Sequence, residues 1–166
     1  MPLSSAAETT PYQFKPGPLS SHGRILRFFD ALPDGPRILD VGAASGYLGA
    51  ALRRHKPARL CGLEADPQLA AQARPFYDEL IIGDLEATTF PWTEGSFDAI
   101  ICADMLEHLR EPAAVLRALC RLLAPGGWMV VSLPNVAHWS VRLSLLCGRF
   151  TYEPRGIMDR THLRYY

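Results

Sequence analysis

The sequence predicts an α/β fold, a doubly wound and mostly parallel sheet, on three observations. Short apolar runs alternate with amphipathic helical patterns, polar residues gather where those runs end, and a glycine turn joins the first run directly to a helix. A chain of 166 residues that is 48% hydrophobic has enough apolar surface for one domain with a real core.

The elements follow in order. Residues 1–18 carry Pro2, Pro11, Pro16 and Pro18 among small polar residues and read as an irregular lead-in, so the domain is expected over 19–166. Ile25, Leu26, Phe28, Phe29 and Leu32 recur at helical spacing over 21–32, and Pro33-Asp34-Gly35-Pro36 stops that helix. Apolar runs at 38–41, 59–63, 79–82, 97–102 and 128–133 read as buried strands, too continuous to have one solvated face. Between them, 47–55, 67–74 and 112–123 read as helices. In the last of these Val115, Leu116, Leu119, Leu122 and Leu123 share a face, Pro112 suits the first helical position, and Gly126-Gly127 suits a turn after the end. Strands alternating with helices require crossover connections and hence a parallel sheet covered on both sides.

Composition excludes several functions. Lys plus Arg and Asp plus Glu number 17 each, and the cations are scattered, so the basic footprint of a nucleic-acid or membrane-surface binder is missing. The apolar stretches are too short to span a bilayer, and Met1-Pro2-Leu3-Ser4-Ser5 lacks the charged and apolar parts of a leader, which predicts a cytoplasmic protein with a small-molecule partner. Cys61, Cys102, Cys120 and Cys147 show no Cys-x-x-Cys spacing and are expected to be free and mostly buried.

In open parallel sheets ligands bind at the carboxyl ends of the strands. Asp40 ends the first run, Glu64 and Asp66 the second, Asp84 the third; Asp104 follows the fourth, and Ser132 and Asn135 the fifth. Surface charge alone would scatter these groups. The run Arg37-Ile38-Leu39-Asp40-Val41-Gly42-Ala43-Ala44-Ser45-Gly46-Tyr47-Leu48 adds an acid and a Gly-x-x-x-Gly turn, which brings bare backbone to a ligand. The phosphate-binding Gly-x-Gly-x-x-Gly is not present.

This run resembles the first motif of class I S-adenosylmethionine-dependent methyltransferases, and the resemblance extends over about residues 20–166. It implies a Rossmann-like methyltransferase fold with strand order 3-2-1-4-5 and S-adenosylmethionine as methyl donor, S-adenosylhomocysteine being the product. By the same resemblance Asp40 organises the methionine end, Gly42, Ala43, Ser45 and Gly46 form the backbone cradle, and Glu64 accepts from the ribose hydroxyls. Asp84 meets the adenine amino group with Leu85 as an apolar wall, while Ala103 and Asp104, after strand four, complete the cofactor-binding set. Several carboxylates suit the hydroxyls, amino groups and sulfonium of such a ligand. Asp66, before Pro67, suits a helix N-cap better than ligand contact.

Asp104-Met105-Leu106-Glu107-His108 is similar to the Glu-x-x-Glu-His of small-molecule methyltransferases, and its i, i+3, i+4 spacing would set Asp104, Glu107 and His108 on one helical face. In some members of that family the corresponding trio binds a divalent metal. Here two readings stand side by side, a metal site and a helix start with His108 as hydrogen-bonding group or general base. His138 is the second choice for a base. The segment from Ser132 to Tyr166 resembles the acceptor side of bacterial methyltransferases associated with surface polysaccharides, which makes Asn135, His138, Arg142, Arg160 and His162 acceptor contacts; the competing reading is a cover helix with solvated arginines.

The resemblance implies methyl transfer to a small metabolite or glycan precursor. The alternatives are a methyltransferase-fold binding or regulatory protein without catalysis and an NAD-dependent dehydrogenase, whose fold also places glycines after strand one and an acid after strand two. The family's sheet continues into an antiparallel strand pair that this sequence lacks, so the domain is expected to be incomplete, with a second copy or further chain covering the edge of strand five.

Overall fold

A computed structural model describes residues 17–166. The expected lead-in therefore lies, except for Gly17 and Pro18, outside the described residues. The elements are α1 (Ser21–Asp30), β1 (Arg37–Val41), α2 (Tyr47–His55), β2 (Arg59–Glu64), α3 (Pro67–Ala73), β3 (Glu79–Ile82), β4 (Phe97–Ala103), α4 (Pro112–Leu122), β5 (Leu123–Ser132) and α5 (Trp139–Leu146). All five strands pair in parallel in the order β3-β2-β1-β4-β5, the predicted doubly wound arrangement.

Alternation along β1 explains the layering. Ile38 points into one apolar layer with Phe29, Leu48, Leu52, Leu60 and Tyr77, whereas Leu39 and Val41 point into the other with Phe97, Ile100, Leu106, Val115 and Leu119. α1 begins where the Ser20 hydroxyl accepts from Gly23 N–H, and α3 where Asp66 accepts from the N–H groups of Gln68 and Leu69 ahead of Pro67 at the first helical turn. The capping role expected of Asp66 is therefore the one it has.

Two expectations change. β5 starts at Leu123, and Gly126-Gly127 lie inside it. The register passes from Phe97↔Leu123 to Ala99↔Trp128, so residues 124–127 bulge out opposite Asp98, with Pro125 in a stretch that needs no ladder donor and Gly126 at φ 79°. The glycine pair turns the chain as predicted, but within a strand. All four cysteines are free, yet only Cys61 and Cys102 are buried, because Cys120 sits on the outer face of α4 and Cys147 just beyond α5.

Candidate functional site

The turn after β1 is built by three backbone departures. Gly42 at φ 80°, Ala44 at φ 47° and Gly46 at φ 82° put left-handed residues within one short loop. The N–H groups of Gly42 and Ala43 donate to the Leu63 carbonyl, which docks the turn on the end of β2. Gly46 has no room for a side chain, since a Cβ there would lie 2.7 Å from Ala73 Cα and from the Phe76 ring. Glu64 then clamps the loop: Oε2 accepts from Ala44 N–H at 2.7 Å and Oε1 from Asp66 N–H at 2.9 Å. One carboxylate thus links the glycine turn to the end of β2, half-buried at the mouth of the site. Ser45 is half-buried beside it and Ala43 is buried.

Asp40, the acid expected to organise the methionine end, lies buried near the end of β1. It is 2% exposed and its Oδ2 accepts from the Tyr77 hydroxyl at 2.5 Å. Alternation along β1 is the reason: Asp40 shares the Ile38 face, and Tyr77 belongs to that layer. Burial, partly offset by the Tyr77 hydroxyl and reinforced by the Glu64 charge, pushes the Asp40 carboxyl up from 3.8 to about 7. Tyr77 is the residue that sequence reading missed. Its signal was in the glycines, since a Cβ on Gly49 would lie 2.5 Å from the Tyr77 ring and one on Gly62 3.0 Å from it.

Asp84 is exposed after β3, where its Oδ1 accepts from Glu86 N–H at 2.9 Å and its carbonyl from Ala87 and Thr88, so the loop presents a carboxylate at the strand end. Leu85 packs at the margin of the β4-side core. It also lines a groove of about 490 Å³ with Trp92, Val115 and Arg121, which shares no other predicted residue; the carboxylates and the glycine turn, rather than this groove, mark the site. Ala103 ends β4 half-buried, and Asp104 follows it at φ 49°, with Oδ1 accepting from the Ser132 hydroxyl at 2.7 Å and Oδ2 from Ser21 at 3.4 Å. Asp104 N–H donates to the carbonyl and the hydroxyl of Ser132.

The predicted common helical face for Asp104, Glu107 and His108 does not form. Asp104 is left-handed, Met105 lies at φ −131° and ψ −27°, and only a 3-10 turn, Leu106–His108, follows. Asp104 is committed to Ser132 and Ser21, while Glu107 and His108 face the chain's last residues. There His162 brings Nε2 to 3.8 Å from Glu107 Oε1, and the His108 and His162 rings meet edge-on at 4.9 Å. Glu107 is 1% exposed; burial first, then the charges of Asp104 and Asp159, push its carboxyl up from 4.5 to about 7 despite a backbone N–H that favours the ion. Burial and the neighbouring His162 hold His108 below its ordinary 6.5.

The other acceptor-side residues divide. His138 is exposed and caps α5, its Nδ1 lying 2.8 Å from Ser140 Oγ and accepting from Ser140 N–H. Asn135 is exposed and bonds Ala137 N–H; Arg142 and Arg160 are exposed. Only His162 is brought to the predicted centre. The segment that carries it is clasped to the 3-10 turn, since Leu163 and Arg164 N–H donate to the Glu107 carbonyl at 2.8 and 3.2 Å and the Arg164 guanidinium donates to the Arg110 carbonyl.

A parallel sheet in this order, a glycine turn after β1 and acids at the ends of β2 and β3 define a nucleoside-cofactor domain of the methyltransferase kind. A family profile described as a methyltransferase domain matches residues 20–166, and the chain belongs to that family. It is 36% identical over 138 residues to a ubiquinone biosynthesis O-methyltransferase of Xanthomonas oryzae pv. oryzae, covering 74% of this chain and 54% of the relative. The corresponding protein of Thiobacillus denitrificans is 32% identical over 135 residues, with 75% and 56% covered. The chain thus spans about half the length of the curated relatives it matches. Among solved structures, an S-adenosylmethionine-dependent methyltransferase from Mesorhizobium loti aligns with TM-score 0.59 and 25% identity over 70% of this chain and 55% of its own. The phosphoethanolamine N-methyltransferase 2 of Haemonchus contortus, solved with S-adenosylmethionine, shares the fold with TM-score 0.61 at 20% identity, over 75% and 31% of the two chains.

Proposed function

We propose that residues 19–166 form one S-adenosylmethionine-binding unit that transfers the sulfonium methyl group to a hydroxyl of a small metabolite. The observation that carries this reading is the Glu64 clamp, which joins an acid at the end of β2 to the left-handed turn after β1. Glu64 accepts from the ribose hydroxyls, Asp84 from the adenine amino group beside Leu85, and the backbone of Gly42, Ala43, Ser45 and Gly46 cradles the methionine end. Asp40 acts from beneath the turn, as a positioning residue held by Tyr77. Ala103 and Asp104 wall the cleft on the β4 side. The relatives named as O-methyltransferases support a hydroxyl acceptor; a glycan precursor would offer the same group.

The donor is already activated, so the protein's work is to hold the acceptor oxygen in line with the methyl carbon, exclude water and accept a proton. His108, half-buried and held below its ordinary pKa, is neutral near pH 7 and able to take that proton. No described helix is long and apolar enough to cross a membrane, which agrees with work on a soluble acceptor in the cytoplasm. At the sheet edge β5 leaves Trp128 and Val131 exposed, and a second copy or further chain covering that edge would bury them. A chromatographic mass that stays monomeric on concentration would argue against a second copy.

Calorimetric titration with S-adenosylhomocysteine, S-adenosylmethionine and NAD tests the reading. Binding of both adenosyl ligands, weakened at least about tenfold by Glu64→Gln through loss of a charged acceptor, is expected. Binding of NAD with no response to either adenosyl ligand would overturn it in favour of a dehydrogenase. Adenosyl binding without turnover of any phenolic or alcoholic acceptor by a longer form of the protein would favour a regulatory binder.

A further inference from the structure

Building on the adenosyl-binding reading above, we propose that Asp40 is a specificity-determining residue that tells the methyl donor from its product by charge, giving up a proton when the sulfonium binds and keeping it when the thioether does. The two ligands share every group except the methyl on sulfur. Breaking the methyl–sulfur bond leaves its electron pair on sulfur, so the sulfonium cation becomes a neutral thioether, and the positive charge departs as the proton of the acceptor hydroxyl. Telling donor from product is therefore a matter of one unit charge at one atom.

Asp40 is built to respond to such a charge. It stands two residues before Gly42, at the foot of the left-handed turn, and is 2% exposed. The Tyr77 hydroxyl donates to its Oδ2 at 2.5 Å, and among the described residues no other hydrogen bond and no cation reaches the carboxylate. Gly49 and Gly62 leave the room that the Tyr77 ring fills, which keeps the phenol against the acid. A buried carboxylate without a cation is driven toward its neutral form by desolvation, and a cation brought near restores the ion. Burial holds this carboxyl at about 7, so both forms are populated at neutral pH and one added charge tips the balance.

The groups packed around Asp40 come from every neighbouring element. Tyr77, just before β3, is pushed well above the ordinary 10, by burial first and then by Asp40 itself, and burial pushes Cys102 on β4 up to about 12, so both stay protonated between pH 6 and 8. Glu64 on β2 adds a negative charge, with its two oxygens already held by Ala44 N–H and Asp66 N–H. Tyr47 on α2 acts on Tyr77, and the His22 ring of α1 lies 5.1 Å from that of Tyr47. A cation within about 4–6 Å lowers a carboxyl pKa by roughly 1–3, so sulfonium binding sends the Asp40 proton to solvent, whereas the thioether carries no charge to do so. At low pH the donor must first displace that proton; as pH rises through the Asp40 pKa the cost disappears and the donor gains on the product.

Calorimetric titration of S-adenosylmethionine and of S-adenosylhomocysteine, each in buffers of different ionisation enthalpy, counts the protons exchanged on binding. Asp40→Asn is the reference, since it keeps an oxygen for the Tyr77 hydroxyl and cannot titrate, while the ligand's amino group and His22 are common to both proteins and cancel. At pH 7 the parent should release about 0.4 proton per chain more than Asp40→Asn on binding the donor, and no more than it on binding the product. From pH 6 to pH 8 the affinity for donor relative to product should rise about five- to tenfold more in the parent than in Asp40→Asn. Tyr77→Phe keeps the acid but removes a hydroxyl that favours its ion, so it should move the midpoint of that rise up by about one pH unit. It also supplies the comparison should Asp40→Asn lose its fold by far-ultraviolet circular dichroism. Equal proton counts in parent and Asp40→Asn, or a pH profile that Tyr77→Phe leaves in place, would overturn the proposal while adenosyl binding stands. Failure of both adenosyl ligands to bind the parent would overturn the cofactor reading with it.

Discussion

Removing one oxygen atom, by Tyr77→Phe, tests how the buried acid under the glycine turn is held. The substitution keeps the ring packed against Gly49 and Gly62 and deletes the 2.5 Å hydrogen bond to Asp40 together with the hydroxyl's bond to the Gly49 backbone. Asp40 has a folded-state pKa of about 7 against an ordinary value of 3.8, so its neutral form is favoured by the fold. Its contribution to stability is therefore complete below pH 3.8, declines as pH rises, and is lost above about pH 7. At about 1.4 kcal/mol per pH unit that decline amounts to roughly 4 kcal/mol. The Tyr77 hydroxyl opposes this rise by favouring the ion. Without it the carboxyl moves higher still, and the loss at pH 8 should be about 2 kcal/mol, the value of a hydrogen bond to a charged group, against about 1 kcal/mol at pH 5 where the acid is neutral. For a domain of this size those losses lower the melting temperature by roughly 6 °C and 3 °C. Urea and thermal unfolding of the ligand-free protein at both pH values measure them. Equal losses at the two pH values, or a larger one at pH 5, would refute the argument.

Other substitutions probe the rest of the frame. Gly46→Ala should cost at least about 3 kcal/mol in urea unfolding, because it adds a strained left-handed residue to a contact of 2.7 Å with the α3 backbone. Asp66→Ala should cost about 1 kcal/mol through the lost cap of α3, and calorimetry should find adenosyl affinity unaltered. Ellman's reagent should titrate Cys120 and Cys147 quickly in the native protein and reach Cys61 and Cys102 only after denaturation, since burial pushes the Cys102 thiol up to about 12 and raises that of Cys61. A native count of four fast thiols would show that the β2 and β4 layers open readily.

Much of the fold was legible because its signals are local. Continuous apolar runs closed by Asp40, Glu64 and Asp84, the Pro67 and Pro112 helix starts, and the Gly42 to Gly46 turn each follow from residues within a few positions of one another, whereas the sheet order came from the family resemblance that the glycine turn carries. What was illegible depends on partners far along the chain. Asp40 meets Tyr77 thirty-seven residues later, and His108 meets Thr161 fifty-three residues later. The helical spacing of Asp104, Glu107 and His108 misled because periodicity presumes a helix, whereas the left-handed Asp104 interrupts one. The start of β5 was obscured by Pro125 and Gly126, which mark a bulge as readily as a loop.

The clasp of Leu163 and Arg164 onto the Glu107 carbonyl has a consequence for the order in which the molecule assembles. The β1–β4 pairing closes a loop of about sixty residues over a fully buried ladder, whereas this contact closes one of more than fifty and brings in few buried side chains beyond Met158 and Asp159. Loop closure of that length is repaid only after the sheet exists, so the last residues dock late and release first. Their amides should exchange with solvent through a local opening whose free energy is well below that of the strands. On the methyl-transfer reading proposed above, the segment that carries His162 would then open and close while the glycine turn and the Glu64 clamp stay built.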